Sequence, residues 1–506
     1  MNTMTKSKQS VSEWKNKLIK QDEIDSYLID GKDFIDTNAI RSMLEKGKLS
    51  DASHIRNIIK KSYAISLMSA EDLASLVQVQ DPALREAVFL AAEEIKTKVY
   101  DNRVVTFAPL YCGSKCVNSC KYCGFRSDNN SISRRVLTME EIVSEAQVLA
   151  SKIGHKRLVL VYGEHPETSA DYIAESMRHI YGIKEKVRNG VGEIRRVNIN
   201  AAPLPIAELK KLYDAGIGTY QVFQESYDKE IYREVHPENT LKGNYQWRLY
   251  ALHRAMDAGI DDVAIGALFG LADWRFELMG LRAHAEDLEN RYGIGPHTVS
   301  VPRLEPAAGT DFSWVKHWVS DEDFRYIIAC IRLAIPYAGL IVTNRESPEM
   351  IRSVIKMCTQ RDADTRVGIG AYTEALSSNE QTEEKQQFVL GDTRSLDAII
   401  RELVDMGHIV SFCTAGYRCG RTGKKIMEAL ESGREGCFCK LNAVLTFQEW
   451  LEDFASPETY HIGTQIIEKE MSEIKARVPK DFSPSLWEHL VKARNKILEG
   501  ERDLYF

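Results

Sequence analysis

"RVVTFAPLYCGSKCVNSCKYCGFR", residues 103–126, runs a β-rich segment straight into four cysteines. The apolar and β-branched run 104–110 reads as a buried strand. Cys112, Cys116, Cys120 and Cys123 follow on the loop after it. Comparable runs recur at 157–163, 195–203, 219–224, 261–270, 297–306 and 339–346, with an eighth expected at 366–372. Helix-like segments such as 138–153 and 205–216 lie between them. Strands alternating with helices mean βα units and a parallel sheet. Seven or eight units over about 270 residues fit a (β/α)8 TIM-type barrel better than an open Rossmann sheet, with an open six-stranded barrel as the alternative.

Working outward, residues 1–100 read as a helical extension, with Ser69 as an N-cap and a break near Asp81 forced by Pro82. Residues 101–380 form the barrel. Residues 381–506 form a mostly helical C-terminal region holding a second cysteine cluster at 413–439. The net charge of −7 over 506 residues argues against nucleic acid as a partner. The N-terminus lacks the apolar core of a signal peptide, and no apolar run approaches the roughly 20 residues that cross a bilayer, so a cytoplasmic protein is expected. In a reducing compartment, clustered cysteines are more often metal-binding or catalytic than disulfide-bonded. The isolated Cys330 and Cys358 read as buried apolar residues.

Cys116, Cys120 and Cys123 form Cx3Cx2C. Three thiolates are one short of closed structural zinc, although Cys112 offers a fourth. An iron–sulfur cube on three cysteines instead leaves one iron open, and the C-terminal end of a barrel strand is where such folds place chemistry.

With Tyr122 inside the CxxC and "CGFR" after it, the motif resembles that of the radical S-adenosylmethionine (SAM) superfamily. "YGEHP", "VNINAAP", "YQVFQESY", "GPHTVSVPRLEPA", "VTNRESPE" and "QFVLGDTRSLD" follow in the order of its aromatic-amino-acid lyases. The resemblance covers roughly residues 70–455 and includes two kinds of tyrosine lyase, one forming thiazole for thiamine, the other maturing the FeFe-hydrogenase cofactor. The segments "SFCTAGYRCGRTGKKIM" and "ASPETYHIGTQIIEKE" resemble the maturase alone. The resemblance implies a 4Fe–4S cluster on the three cysteines and SAM on its open iron. It also implies cleavage of L-tyrosine, or a related aromatic amino acid, at Cα–Cβ to p-cresol and dehydroglycine. A reductant such as flavodoxin or ferredoxin and maturation partner proteins are implied too, and no membrane.

On that resemblance Gly163 and Glu164 match the superfamily's SAM-binding "GGE". Glu225 lies near SAM, with Gln224 and Tyr227 supporting it, and Arg233 and His236 on the same face. A planar guanidinium suits the substrate carboxylate. Arg345 stands at the family's "STRE" arginine, with Thr343 for the usual serine, and Arg303 is the second choice. His297 reads as barrel packing. His284 matches a histidine near the maturases' second metal centre.

The maturases carry Cx2Cx22C near the C-terminus, where dehydroglycine becomes carbon monoxide and cyanide at a second iron–sulfur cluster. Here Cys413 and Cys439 hold the outer positions, but Gly416 replaces the middle cysteine. Cys419 and Cys437 lie close by as substitute ligands for a rewired cluster; the alternative is a region that has lost it. A bifunctional maturase, a lyase that stops at dehydroglycine and a non-catalytic iron–sulfur scaffold are the three functions that follow.

Overall fold

The computed structural model describes residues 11–374, 386–420, 423–431 and 435–506. Eight strands pair in parallel in chain order: β1 (Arg103–Gly113), β2 (Arg157–Tyr162), β3 (Arg196–Asn200), β4 (Tyr220–Gln221), β5 (Val263–Gly266), β6 (Thr298–Ser300), β7 (Gly339–Val342) and β8 (Gln360–Asp362). β8 returns to β1, with Gln360 opposite Val105, and closes the barrel. The (β/α)8 expectation therefore holds.

The eighth strand is not where hydropathy placed it. Residues 366–372 lead into the short helix Ala371–Glu374, whereas β8 is the polar triplet Gln360–Asp362. Its charges are buried because they are paired. Arg361 meets Asp392 at 3.0 Å, and Asp362 accepts hydrogen bonds from the Asn344 N–H and the Thr365 hydroxyl. The domain boundary expected at 380–381 lies outside the described residues.

A ninth strand, β9 (Ile409–Ser411), lies alongside the start of β1 and ties the C-terminal region to the barrel. Behind it pack the helices Leu396–Asp405, Glu435–Asp453, Pro457–Ala476 and Pro484–Leu498. The N-terminal helices Thr37–Gly47, Ala52–Ser62, Ala70–Leu76 and Pro82–Tyr100 start at side-chain caps on Asp36, Asp51, Ser69 and Asp81. Pro82 opens its helix, where a missing N–H costs nothing. This extension is pinned to the barrel's outer helices by Arg282 Nε on the Met68 carbonyl (2.8 Å) and by Arg85 on Glu322 (2.7 Å).

One buried ion group joins the barrel to the C-terminal helices. Lys156, next to β2, meets Glu449 at 2.7 Å, and Arg195 meets the same carboxylate at 2.6 Å. Burial alone raises the Glu449 carboxyl, but Lys156 and Arg195 outweigh it and hold the group well below the usual range. Glu449→Ala strands the buried Lys156, while Arg195 keeps Glu193 at 2.7 Å and Asp503 at 3.2 Å, so a loss of about 3 kcal/mol is expected, read as a lower denaturation midpoint.

Candidate active site

The cavity at the C-terminal mouth of the barrel is walled by residues of one strand phase. Phe107, Pro109 and Tyr111 of β1 face it, while Cys112 between Tyr111 and Gly113 is fully buried on the other side. Cys112, the possible fourth ligand, thus packs as an apolar residue, its sulfur turned to the Leu110 carbonyl at 3.7 Å.

Cys116, Cys120 and Cys123 line the rim of this cavity together. Burial, then Glu164 and Cys123, pushes the Cys116 thiol up to about 11, and burial pushes Cys120 up to about 12. Such thiols lose their protons only to a bound metal. Among the described residues, no three Cys, His, Asp or Glu side chains gather tightly enough to chelate a single ion. Cys116, Cys120 and Cys123 on one cavity wall offer the three thiolates that a cube takes from the protein.

The loop is held by its neighbours. Asn118 donates to the Glu164 carboxylate and reaches the Cys116 sulfur at 3.7 Å, and the Val117 N–H donates to the Glu164 carbonyl at 2.9 Å. Gly163 lies so close that a Cβ there would stand 2.2 Å from the Lys115 carbonyl oxygen. Gly163→Ala must push the cysteine loop aside, and SAM affinity, measured by equilibrium dialysis on the reconstituted protein, is expected to fall at least about tenfold.

Glu225 adopts φ +71° and accepts from Lys242 at 2.8 Å and Arg248 at 3.1 Å. Burial raises its carboxyl, yet the two cations bring it below the ordinary value, so it stays ionised. Tyr122 lies against Lys242 and shares a 2.8 Å hydrogen bond with His236 Nε2. Since His236 Nδ1 faces the Tyr232 carbonyl at 3.0 Å, Nδ1 donates there and Nε2 accepts from the phenol.

The remaining sequence-derived residues divide. Arg345 and Thr343 line the cavity, with the Arg345 guanidinium 3.4 Å from the centre of the Phe388 ring. Arg345 makes no side-chain hydrogen bond or ion pair among the described residues, so its fork is open to a ligand. Arg303 is committed elsewhere, to Glu346 at 3.0 Å and Asp321 at 2.7 Å. Gln224 alternates away from the cavity that Phe223 and Glu225 line and is buried behind the sheet. Arg233 is an exposed surface residue paired with Glu238. Sequence reasoning missed Lys242, Arg248 and Glu305, which lie in unremarkable contexts and meet the cavity only through the fold.

The second cysteine group lies below the opposite end of the barrel, after β9. Cys413 takes φ +48° and hydrogen-bonds Arg103, which Cys439 also faces. Cys419 is exposed and turned to the Phe506 oxygen at 3.3 Å. The side chain of Cys437 lies outside the described residues. Two thiols therefore face the barrel floor among the described side chains, and no third joins them. His284 belongs to a different place: it bonds Tyr227 at 2.9 Å and stacks on His253 among the outer helices.

A closed parallel barrel with Cx3Cx2C after its first strand and a carboxylate after its second defines a radical SAM enzyme, whose cofactors are a 4Fe–4S cluster and SAM. Residues 110–276 match the Radical SAM superfamily, and residues 300–409 match the Biotin and Thiamin Synthesis associated domain. The crystal structure of HydG, a maturase of the [FeFe]-hydrogenase, shares 41% identity and a TM-score of 0.87, covering 94% of this chain and 100% of that one. HydG from Carboxydothermus hydrogenoformans shares 36% and a TM-score of 0.76, covering 95% and 100%. The 2-iminoacetate synthase of Escherichia coli (strain K12) is 28% identical over 356 residues, 69% of this chain and 88% of that protein. The chain belongs to the tyrosine lyase family of radical SAM enzymes, in its HydG branch. Among the described residues, no helix is long and apolar enough to cross a membrane.

Proposed function

We propose that the enzyme cleaves the Cα–Cβ bond of L-tyrosine to p-cresol and dehydroglycine in the service of hydrogenase maturation. One observation carries this reading: Arg345 is a half-buried guanidinium on the cavity wall with no carboxylate at ion-pair distance, stacked on Phe388. A bidentate carboxylate grip there leaves the amino group facing the cavity. When bound, the cluster and SAM supply the hydrogen-abstracting radical. The chain's own work is to orient the amino acid, keep water away and leave the amine uncharged. Glu305, pushed up to about 7 by burial and then by Glu346, stands on the same wall and takes the ammonium proton near neutral pH. Turnover should therefore fall as pH drops below about 7.

A second reading is favoured by the floor of the barrel. With Cys419 turned outward and glycine at 416, a lyase that ends at dehydroglycine is the alternative to one that proceeds to carbon monoxide and cyanide. The test is anaerobic reconstitution with iron and sulfide, followed by dithionite, SAM and tyrosine. p-Cresol and 5′-deoxyadenosine in equal amounts are expected; their absence removes the lyase reading. With p-cresol present, carbon monoxide and cyanide separate the two endings.

A further inference from the structure

Each of the three rim cysteines has a different polar neighbour. Asn118 reaches the Cys116 sulfur while it donates to Glu164. Burial raises the Cys120 thiol and Lys242, the partner of Glu225, opposes it. Both neighbours therefore belong to the carboxylates that follow β2 and β4. Cys123 is served from elsewhere: Gln387 Nε2 stands 3.6 Å from its sulfur. Gln387 lies 264 residues further along the chain and lines the same cavity.

The amide has a fixed direction. The Tyr111 phenol donates to Gln387 Oε1 at 2.9 Å, which leaves Nε2 turned to the sulfur. Burial holds that phenol above its ordinary value, so it stays a donor. The backbone beneath is fixed as well. A Cβ on Gly124, next to Cys123, would stand 2.7 Å from the Gln387 carbonyl oxygen, so this strap lies directly on the cysteine loop. The next residue, Phe388, carries the Arg345 guanidinium on its ring. Gln387 is thus anchored on both sides, and neither the grip on SAM nor the grip on a substrate carboxylate uses its amide.

We propose that Gln387 sets the reduction potential of the SAM cluster, its amide N–H stabilising the charge that the Cys123 sulfur gains on one-electron reduction. A low-potential reductant supplies the electron, and the N–H donates throughout without giving up its proton. A donor aimed at a ligand sulfur favours the reduced state, because that sulfur is then the more negative. One such hydrogen bond shifts the reduction equilibrium about fivefold, which for a single electron is about 40 mV. The effect belongs to the cluster alone, so it is read without turnover.

For the test, the reconstituted full chain is poised anaerobically at a series of potentials, and the electron paramagnetic resonance of the reduced cluster is read at each. The signal followed is the one whose shape changes when SAM is added, which separates it from a cluster on the second cysteine group. Gln387→Leu keeps the bulk and removes the donor. Its midpoint should fall by about 40 mV, with iron content and SAM affinity at parental levels. Tyr111→Phe, which leaves the amide without its guide, should lower the midpoint by less. Val389→Ala, an exposed position on the same strap, should leave it unchanged. A Gln387→Leu protein that keeps both its iron and the parental midpoint overturns the proposal. An equal fall in Val389→Ala overturns it too, since the shift would then come from packing of the strap. If Gln387→Leu fails to hold iron, Tyr111→Phe decides, and a parental midpoint there overturns the proposal as well.

Discussion

Cys120→Ala is expected to abolish reductive SAM cleavage, by at least about a thousandfold, and to remove the cube's iron, about four atoms per chain, from the reconstituted protein. Cys120 is the most buried of the three rim cysteines, at 5% exposure, and the smallest change to its packing is loss of one sulfur. The fold should therefore survive with a thermal midpoint within a few degrees of the parent. With only Cys116 and Cys123 left on the loop, two thiolates remain for a cube that needs three protein ligands. Cys112→Ala is the matched control: it removes a thiol four residues before Cys116, yet iron content and SAM cleavage should be unchanged, because that sulfur points to the Leu110 carbonyl on the opposite side of β1. If the Cys112 variant lost iron while the Cys120 variant kept it, the ligand set drawn from the fold would be wrong. Electron paramagnetic resonance of the dithionite-reduced proteins, with and without SAM, distinguishes a missing cube from one that no longer meets SAM.

The cysteine loop was legible because its spacing is local. Three thiolates on eight consecutive residues reach one centre whatever the rest of the chain does. Glu164 was legible for a related reason, as it directly follows the neighbouring strand and Gly163 leaves no alternative backbone path past Lys115. Lys242 and Arg248 were not legible. They fix Glu225 from a segment seventeen and twenty-three residues away in sequence, and nothing local marks either as a partner. Strand β8 failed for an energetic reason: hydropathy reads Arg361 and Asp362 as surface, while the fold neutralises them with Asp392, Asn344 and Thr365. Three arginines at the barrel floor show the same blindness. Arg103, Arg157 and Arg196 each open a strand, where a charge looks like the edge of a loop, and closure of the barrel brings them together.

The choice between Arg345 and Arg303 shows what geometry adds to residue type, and it yields the second large prediction. Both follow barrel strands at the same end of the barrel. Arg303 has Glu346 and Asp321 as counter-ions, which raise its guanidinium against the opposing effect of burial, so it is a strut between the β6 and β7 loops. Arg345 is lowered by burial and holds no carboxylate at ion-pair distance. Arg345→Lys keeps the charge but loses the fork and the stack on Phe388. A charge-assisted bidentate contact is worth about 3–4 kcal/mol in such a cavity, so kcat/KM for tyrosine should fall by about 100- to 1,000-fold. SAM binding and iron content should stay at parental levels, because Arg345, although near Cys123 and Glu225, hydrogen-bonds neither of them and the variant keeps the positive charge they feel. Uncoupled SAM cleavage, with 5′-deoxyadenosine exceeding p-cresol, is the signature that separates lost substrate grip from a damaged cofactor site. Arg303→Lys should do the reverse: a lower thermal midpoint, and a tyrosine KM within about threefold of the parent. A Michaelis constant that rises in the Arg303 variant and stays fixed in the Arg345 variant would exchange their roles.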